Sequence, residues 1–284
     1  MRKTIATHIL SQLGMANSYD VDLKTSTMSI PAMPADHHGL DAGFGDSLSS
    51  EHPTTAEAAP MDPLYVHTQR ELDDIFREMV PHFEGKETEQ NWGARDKDVL
   101  KLRRLTKGNA PSEFHTAFAA GIKSLLDGVL KVANSLRTTM STNGCQLVQE
   151  LARTLGPALD PMAEIMLQSF VKMSAATKYI SAQNGYHTVD TIFQNVSYSA
   201  RLMQHVWFAY QDKNVQPRTY ASGWLTMLIK KHSQQKSLIE HSGGLELVEK
   251  CIKKGLADPN PKVRESTRAT YWVFAQVWPD KAEA

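Results

Sequence analysis

The sequence predicts an all-α fold, a solenoid of stacked helix pairs, on three observations. Hydrophobic residues make up 41% of a 284-residue chain, enough to bury a sizeable core. From residue 64 onward apolar residues recur at helical spacing, and no segment alternates convincingly as a strand would. Proline, glycine and asparagine breaks then return at nearly constant intervals, so the helices come in pairs of similar length.

Taken in order, the first element is not part of that pattern. Residues 1–63 hold three basic side chains (Arg2, Lys3, Lys24) against eight acidic ones, a net charge of minus five, and are rich in Pro, Gly, Ser and Thr. Such a segment buries too little apolar surface to offset the entropy of ordering it, so 1–63 reads as an acidic, disordered linker or tail, with a short helix over 3–15. The whole chain is neutral, so residues 64–284 carry the compensating plus five.

The helices begin after Pro63. Thr68 and Glu71 form a capping box, and Leu72, Ile75, Phe76, Met79 and Val80 follow at i, i+3, i+4, i+7 and i+8. Further helical segments are predicted over 91–107, 113–133, 137–155, 160–173, 177–195, 198–211, 216–232, 237–255 and 261–278. Breaks such as ALDP, NVQP and DPNP stop one helix and pre-set the first turn of the next. Taken in pairs, the second helices start near 91, 137, 177, 216 and 261, at intervals of 46, 40, 39 and 45 residues. Those intervals match the roughly 40 to 47 residue period of HEAT and armadillo repeats, which gives an α-solenoid of about five to six repeats over 64–284.

In such a stack the turns joining the helices of each pair line up along one edge. The second-helix starts bring Trp92 and Arg95, then Arg137, Lys178, Arg218, and finally Lys262, Arg264 and Arg268. Every corner carries a cation, and the first adds an aromatic. A row of positive charge steers an acidic partner, and a tryptophan beside an arginine is the pairing that concentrates interface energy. HEAT repeats also use an Asp at the turn and an Arg on the next helix as an internal ladder, which gives Asp258 and Arg264 a structural reading alongside the binding one. The aromatics Trp207, Phe208, Trp224, Trp272, Phe274 and Trp278 read as core between repeats.

The corner sequences FEGKETEQNWGARDKDVLKLRRL, SLRTTMSTNGCQLVQELARTLG, SAATKYISAQNGYHTVDTIFQNV, DKNVQPRTYASGWLTMLIKKH and DPNPKVRESTRATYWVFAQVWP resemble, in that order, the intra-repeat turns of a TOG domain. They are most similar to the second TOG domain of the CLASP family of microtubule-associated proteins. The resemblance covers about residues 64–284. It implies a HEAT-repeat domain whose turn edge contacts αβ-tubulin or microtubules, in a family that suppresses catastrophe and promotes rescue, with a cytoplasmic, microtubule and spindle location. Trp92 is similar to the family's first-turn tryptophan, Lys178 to its third-turn lysine, Arg218 to the leading fourth-turn arginine, and Arg264 and Arg268 to its fifth-turn pair. Met140 and Ser141 stand where animal relatives carry Val-Arg, and Arg218, Thr219 and Tyr220 where they carry a run of arginines. Relatives continue into further domains, so the chain is expected to be a piece of a longer protein.

Other chemistries leave little trace. No phosphate-binding loop, dinucleotide fingerprint, zinc-protease helix or nucleophile elbow is present, so neither an enzyme nor a cofactor is expected. Cys145 and Cys251 stand far apart with no metal-ligand spacing and read as buried thiols of a reduced, cytosolic protein. The adjacent pair His37 and His38 falls in the acidic segment. The longest apolar runs are too short to cross a bilayer, and the N-terminus is too polar for a signal-peptide core, so no membrane is expected. A plus-five excess over 64–284 is modest for nucleic acid, which is not expected either. The isolated domain is expected to be a monomer. The alternative is a HEAT-repeat scaffold for another acidic protein or for RNA.

Overall fold

A computed structural model describes residues 61–283. Of the acidic segment only residues 61–63 are described; the helix expected over 3–15 and the pair His37 and His38 lie outside the described residues. The helices run α1 Gln69–Phe83, α2 Trp92–Lys107, α3 Ala110–Glu113, α4 His115–Ala133, α5 Thr138–Leu155, α6 Asp160–Met173, α7 Tyr179–Asn195, α8 Ala200–Tyr210, α9 Val215–His232, α10 Lys236–His241, α11 Gly244–Leu256, α12 Pro261–Val277 and α13 Pro279–Glu283. No strand is present among the described residues.

The contacts define two layers. The first helices of each pair, α1, α4, α6, α8 and α11, each pack on the next, and so do the second helices α2, α5, α7, α9 and α12. Five repeats therefore stack among the described residues, with their second helices starting at Trp92, Thr138, Tyr179, Val215 and Pro261. Between the layers lies one continuous apolar core, from Leu72, Phe76 and Leu102 through Phe118, Leu151 and Phe170 to Trp224, Ile252 and Phe274. Cys145 and Cys251 are both in it, and burial pushes each thiol up to about 12.

Tight corners depend on close approach of paired helices. Gly144 on α5 and Gly185 on α7 occupy equivalent places: a Cβ at Gly144 would lie 2.7 Å from the Ala133 backbone, and one at Gly185 2.7 Å from the Ser174 nitrogen. Only glycine lets each second helix seat against the end of its first.

Cross-links between successive second helices are polar. Arg103 on α2 donates two bonds to Glu150 on α5, each 3.0 Å. Gln149 reaches Thr188 on α7 at 3.0 Å, Gln183 reaches the Tyr220 hydroxyl on α9 at 3.1 Å, and Ser222 pairs with Thr267 on α12 at 3.1 Å. These bonds have direction, so they fix the register of neighbouring helices where apolar packing alone would allow sliding.

Two sequence expectations change. The segment 237–255 is two helices, because Ser242 and Gly243 break it and Gly243 takes a left-handed φ of 74°. Phe208 and Trp272 are 55% and 50% exposed rather than core. Each falls out of phase with the buried stripe of its helix, which runs through Leu202, Val206 and Ala209 on α8 and through Val263, Thr267, Thr270 and Phe274 on α12. Trp224, Phe274 and Trp278 are buried as expected, and Trp207 packs partly buried against the core.

Candidate functional site

The five turns within pairs, called corners here, are tied one to the next by side chains. The Arg137 guanidinium of corner 2 lies 5.0 Å from the centroid of the Trp92 ring at corner 1 and binds two corner-1 carboxylates, Glu87 at 2.8 Å and Glu89 at 2.6 Å. Lys178 Nζ of corner 3 lies 3.5 Å from the Leu136 carbonyl oxygen of corner 2. Asn214 of corner 4 donates to the Ala175 carbonyl of corner 3 at 3.1 Å. Arg218, just inside α9, forms a two-pronged ion pair with Asp258 of corner 5, at 2.8 and 3.2 Å. The corners thus sit side by side as one rim.

Local sequence sets the form of each corner. At corner 1, Thr88 and Asn91 exchange bonds of 2.7 and 3.2 Å that close the loop before α2. Corners 4 and 5 repeat an Asp-x-Asn pattern. Asp212 and Asp258 accept the Asn214 and Asn260 amides, and those asparagines cap α9 and α12 by accepting the Gln216 and Lys262 amides. Corners 2 and 3 have no such cap. Arg137 and Lys178 occupy the N-cap positions of α5 and α7 in extended conformation, and neither side chain can accept a bond from the first turn.

The predicted cations therefore divide. Arg95 is 1% exposed, and its guanidinium donates to the carbonyls of His82, Glu84, Gly85 and Lys86, so it builds corner 1 from inside and is not on the surface. Arg218 is likewise mostly covered: besides Asp258 it holds the Asp212 and Lys213 carbonyls, both at 3.0 Å. The expected Asp258–Arg264 ladder is not the one formed. Asp258 gives its carboxylate to Arg218 of the preceding repeat, while Arg264 donates to the Asp258 and Pro259 carbonyls at 2.8 Å each. Arg137 is charged but already paired, and the hydrogen bond to Glu89 pushes its pKa up further. Lys178 and Lys262 are exposed, and Arg264 and Arg268 are half-buried. Met140 and Ser141 are buried, so these two second-turn positions face the core.

Trp92, the aromatic expected at the first corner, is 37% exposed. Sequence reasoning missed the other apolar members: Leu136 is 87% exposed, Tyr179 71% and Ile180 55%, on corners 2 and 3. It also missed exposed lysines that approach the rim from the first helices of the pairs, Lys172, Lys253 and Lys254, and Lys213 in corner 4.

A stack of helix pairs with one aligned edge of exposed aromatic, aliphatic and cationic side chains defines a helical-repeat protein, a class built on extended surfaces. More particularly, the chain belongs to the CLASP N-terminal family, whose model matches residues 72–284. The Protein STU1 of Coccidioides immitis (strain RS) is 59% identical over 238 residues, covering 84% of this chain and 19% of that one. The Protein STU1 of Phaeosphaeria nodorum (strain SN15) is 53% identical over 291 residues, covering all of this chain and 23% of that one. The Protein stu-1 of Neurospora crassa is 52% identical over 267 residues, 93% of this chain and 23% of that one. The chain thus spans about a fifth to a quarter of the length of these curated relatives. A designed armadillo repeat protein is similar over 73% of this chain at 13% identity and a TM-score of 0.34, too weak a likeness to bear on fold or function.

Proposed function

We propose that residues 64–284 form a TOG-type domain that binds αβ-tubulin or microtubules through the corner rim. In doing so the domain serves a microtubule-associated, cytoskeletal protein that suppresses catastrophe and promotes rescue. Membership of the CLASP N-terminal family points to that partner. The observation that carries the reading is the chain of cross-corner links from Trp92 to Asp258, which makes one surface of residues spread over four repeats' worth of sequence. Tubulin is strongly acidic, and exposed Lys178, Lys213, Lys253, Lys254 and Lys262 give local attraction on a chain of zero net charge. Exposed ion pairs contribute only about 0 to 1 kcal/mol each, so the cations orient the partner more than they hold it. Arg95, Arg218 and Arg264 act in this reading as builders of the rim, Arg264 through the Asp258 and Pro259 carbonyls; Trp92, Lys178, Lys262 and Arg268 face the partner.

Gel filtration of the chain with purified αβ-tubulin, beside pelleting with stabilised microtubules, tests the proposal. Co-elution or co-pelleting that weakens with salt supports it. A chain that binds neither form, or that shifts RNA in a gel at moderate salt as readily as it binds tubulin, overturns it.

A further inference from the structure

Resting on the tubulin reading, we infer that the grip lies in an apolar platform on the first three corners, Leu136, Tyr179 and Ile180 beside Trp92, which seats on an apolar patch within tubulin's acidic surface. Three features of the rim meet there. First, the most exposed large apolar side chain of the described residues is Leu136, at 87%, and Tyr179 and Ile180 at the next corner are more than half exposed. Second, they are neighbours: Lys178, adjacent to Tyr179, reaches the Leu136 carbonyl, and Arg137, adjacent to Leu136, lies over Trp92. Third, corners 2 and 3 forgo the asparagine caps that corners 4 and 5 keep, placing arginine and lysine where neither can cap. A local rule of helix stability is broken at the same two corners that expose aliphatic and aromatic surface, the pattern expected where binding rather than folding sets the residues.

Charge complementarity to an acidic partner comes from the corner-3 side of the platform, where Lys172 and Lys178 are exposed. On the other side Arg137 is held by two carboxylates, Glu87 and Glu89, and offers no positive charge of its own, so the cations lie at one edge and the centre is apolar. Aromatic and aliphatic centres ringed by polar groups are where interface energy concentrates.

The test is tubulin binding by the full chain carrying Leu136→Ser with Tyr179→Ser, measured from low to moderate salt, with circular dichroism melts. Both side chains are exposed, so the melt should match the parent's. The expected result is at least tenfold weaker binding with an unchanged salt dependence. Binding within twofold of the parent overturns the platform while leaving the tubulin reading intact. A loss accompanied by a flattened salt dependence overturns it too, since the residues would then act only by placing Lys178. Should the parent itself fail to bind tubulin, the reading beneath falls and the platform with it.

Discussion

Corners 2 and 3 and corners 4 and 5 occupy equivalent places in the same stack, yet they use their residues in opposite ways. At corners 4 and 5 the polar groups turn inward: two aspartates brace the loops, two asparagines cap the helices, and Arg218 and Arg264 satisfy carbonyls. At corners 2 and 3 the cap is given up and apolar side chains face outward. An arginine at a repeat corner is thus no evidence of binding by itself. Its hydrogen-bond partners decide whether it presents a charge or consumes one.

The largest effect should come from Asp258→Ala. It leaves Arg218 largely buried without its carboxylate, at a cost of about 3 kcal/mol in chemical denaturation. Because repeats couple to their neighbours, hydrogen exchange should speed up in α9, α11 and α12 and not in α5. Spread into α5 would erase the contrast. Next, Arg95→Met should cost about 2 kcal/mol, as four corner carbonyls lose a donor. Its tubulin binding should fall too, because Trp92 starts the helix that Arg95 anchors. Trp92→Ala is the converse, about tenfold weaker binding with a melt within a degree or two of the parent's; an unfolded variant would make Trp92 a core residue. Lys178→Asn would sharpen the comparison most directly. A capping side chain should add about 1 kcal/mol of stability while weakening tubulin binding several-fold, and a variant neither more stable nor weaker in binding would refute the exchange of cap for contact. Smallest is Lys262→Glu, expected to slow association at low salt and leave dissociation unchanged in surface plasmon resonance.

The repeat architecture was legible because its signals are local. Pro261 and the Asp-x-Asn turns mark helix starts within a residue or two of where they fall, and the intervals between them gave the pairing. The corners' alignment on one rim followed from the period alone. Which way each side chain faces did not. Arg95 and Lys178 both stand at or near second-helix starts, but only the folded loop of corner 1 offers Arg95 a cage of carbonyls. Leu136 and Tyr179 pass for core in a linear pattern, Tyr179 even sharing the stripe of Ala182, Val189 and Ile192. Ile180 was readable: it lies off that stripe, as Phe208 and Trp272 lie off theirs. The break at Gly243 was visible as two adjacent glycines, though the flanking segments join into one apparent helix by periodicity.

The directional bonds that run from Arg103–Glu150 to Ser222–Thr267 make the row of second helices behave as a ruler. Each mark is set by a hydrogen bond of fixed length and angle, so the distance from the tryptophan end to the lysine end is decided when the chain folds. Under the tubulin reading proposed above, a partner laid along it would be measured against that graduation and would touch every mark only where its own intervals match.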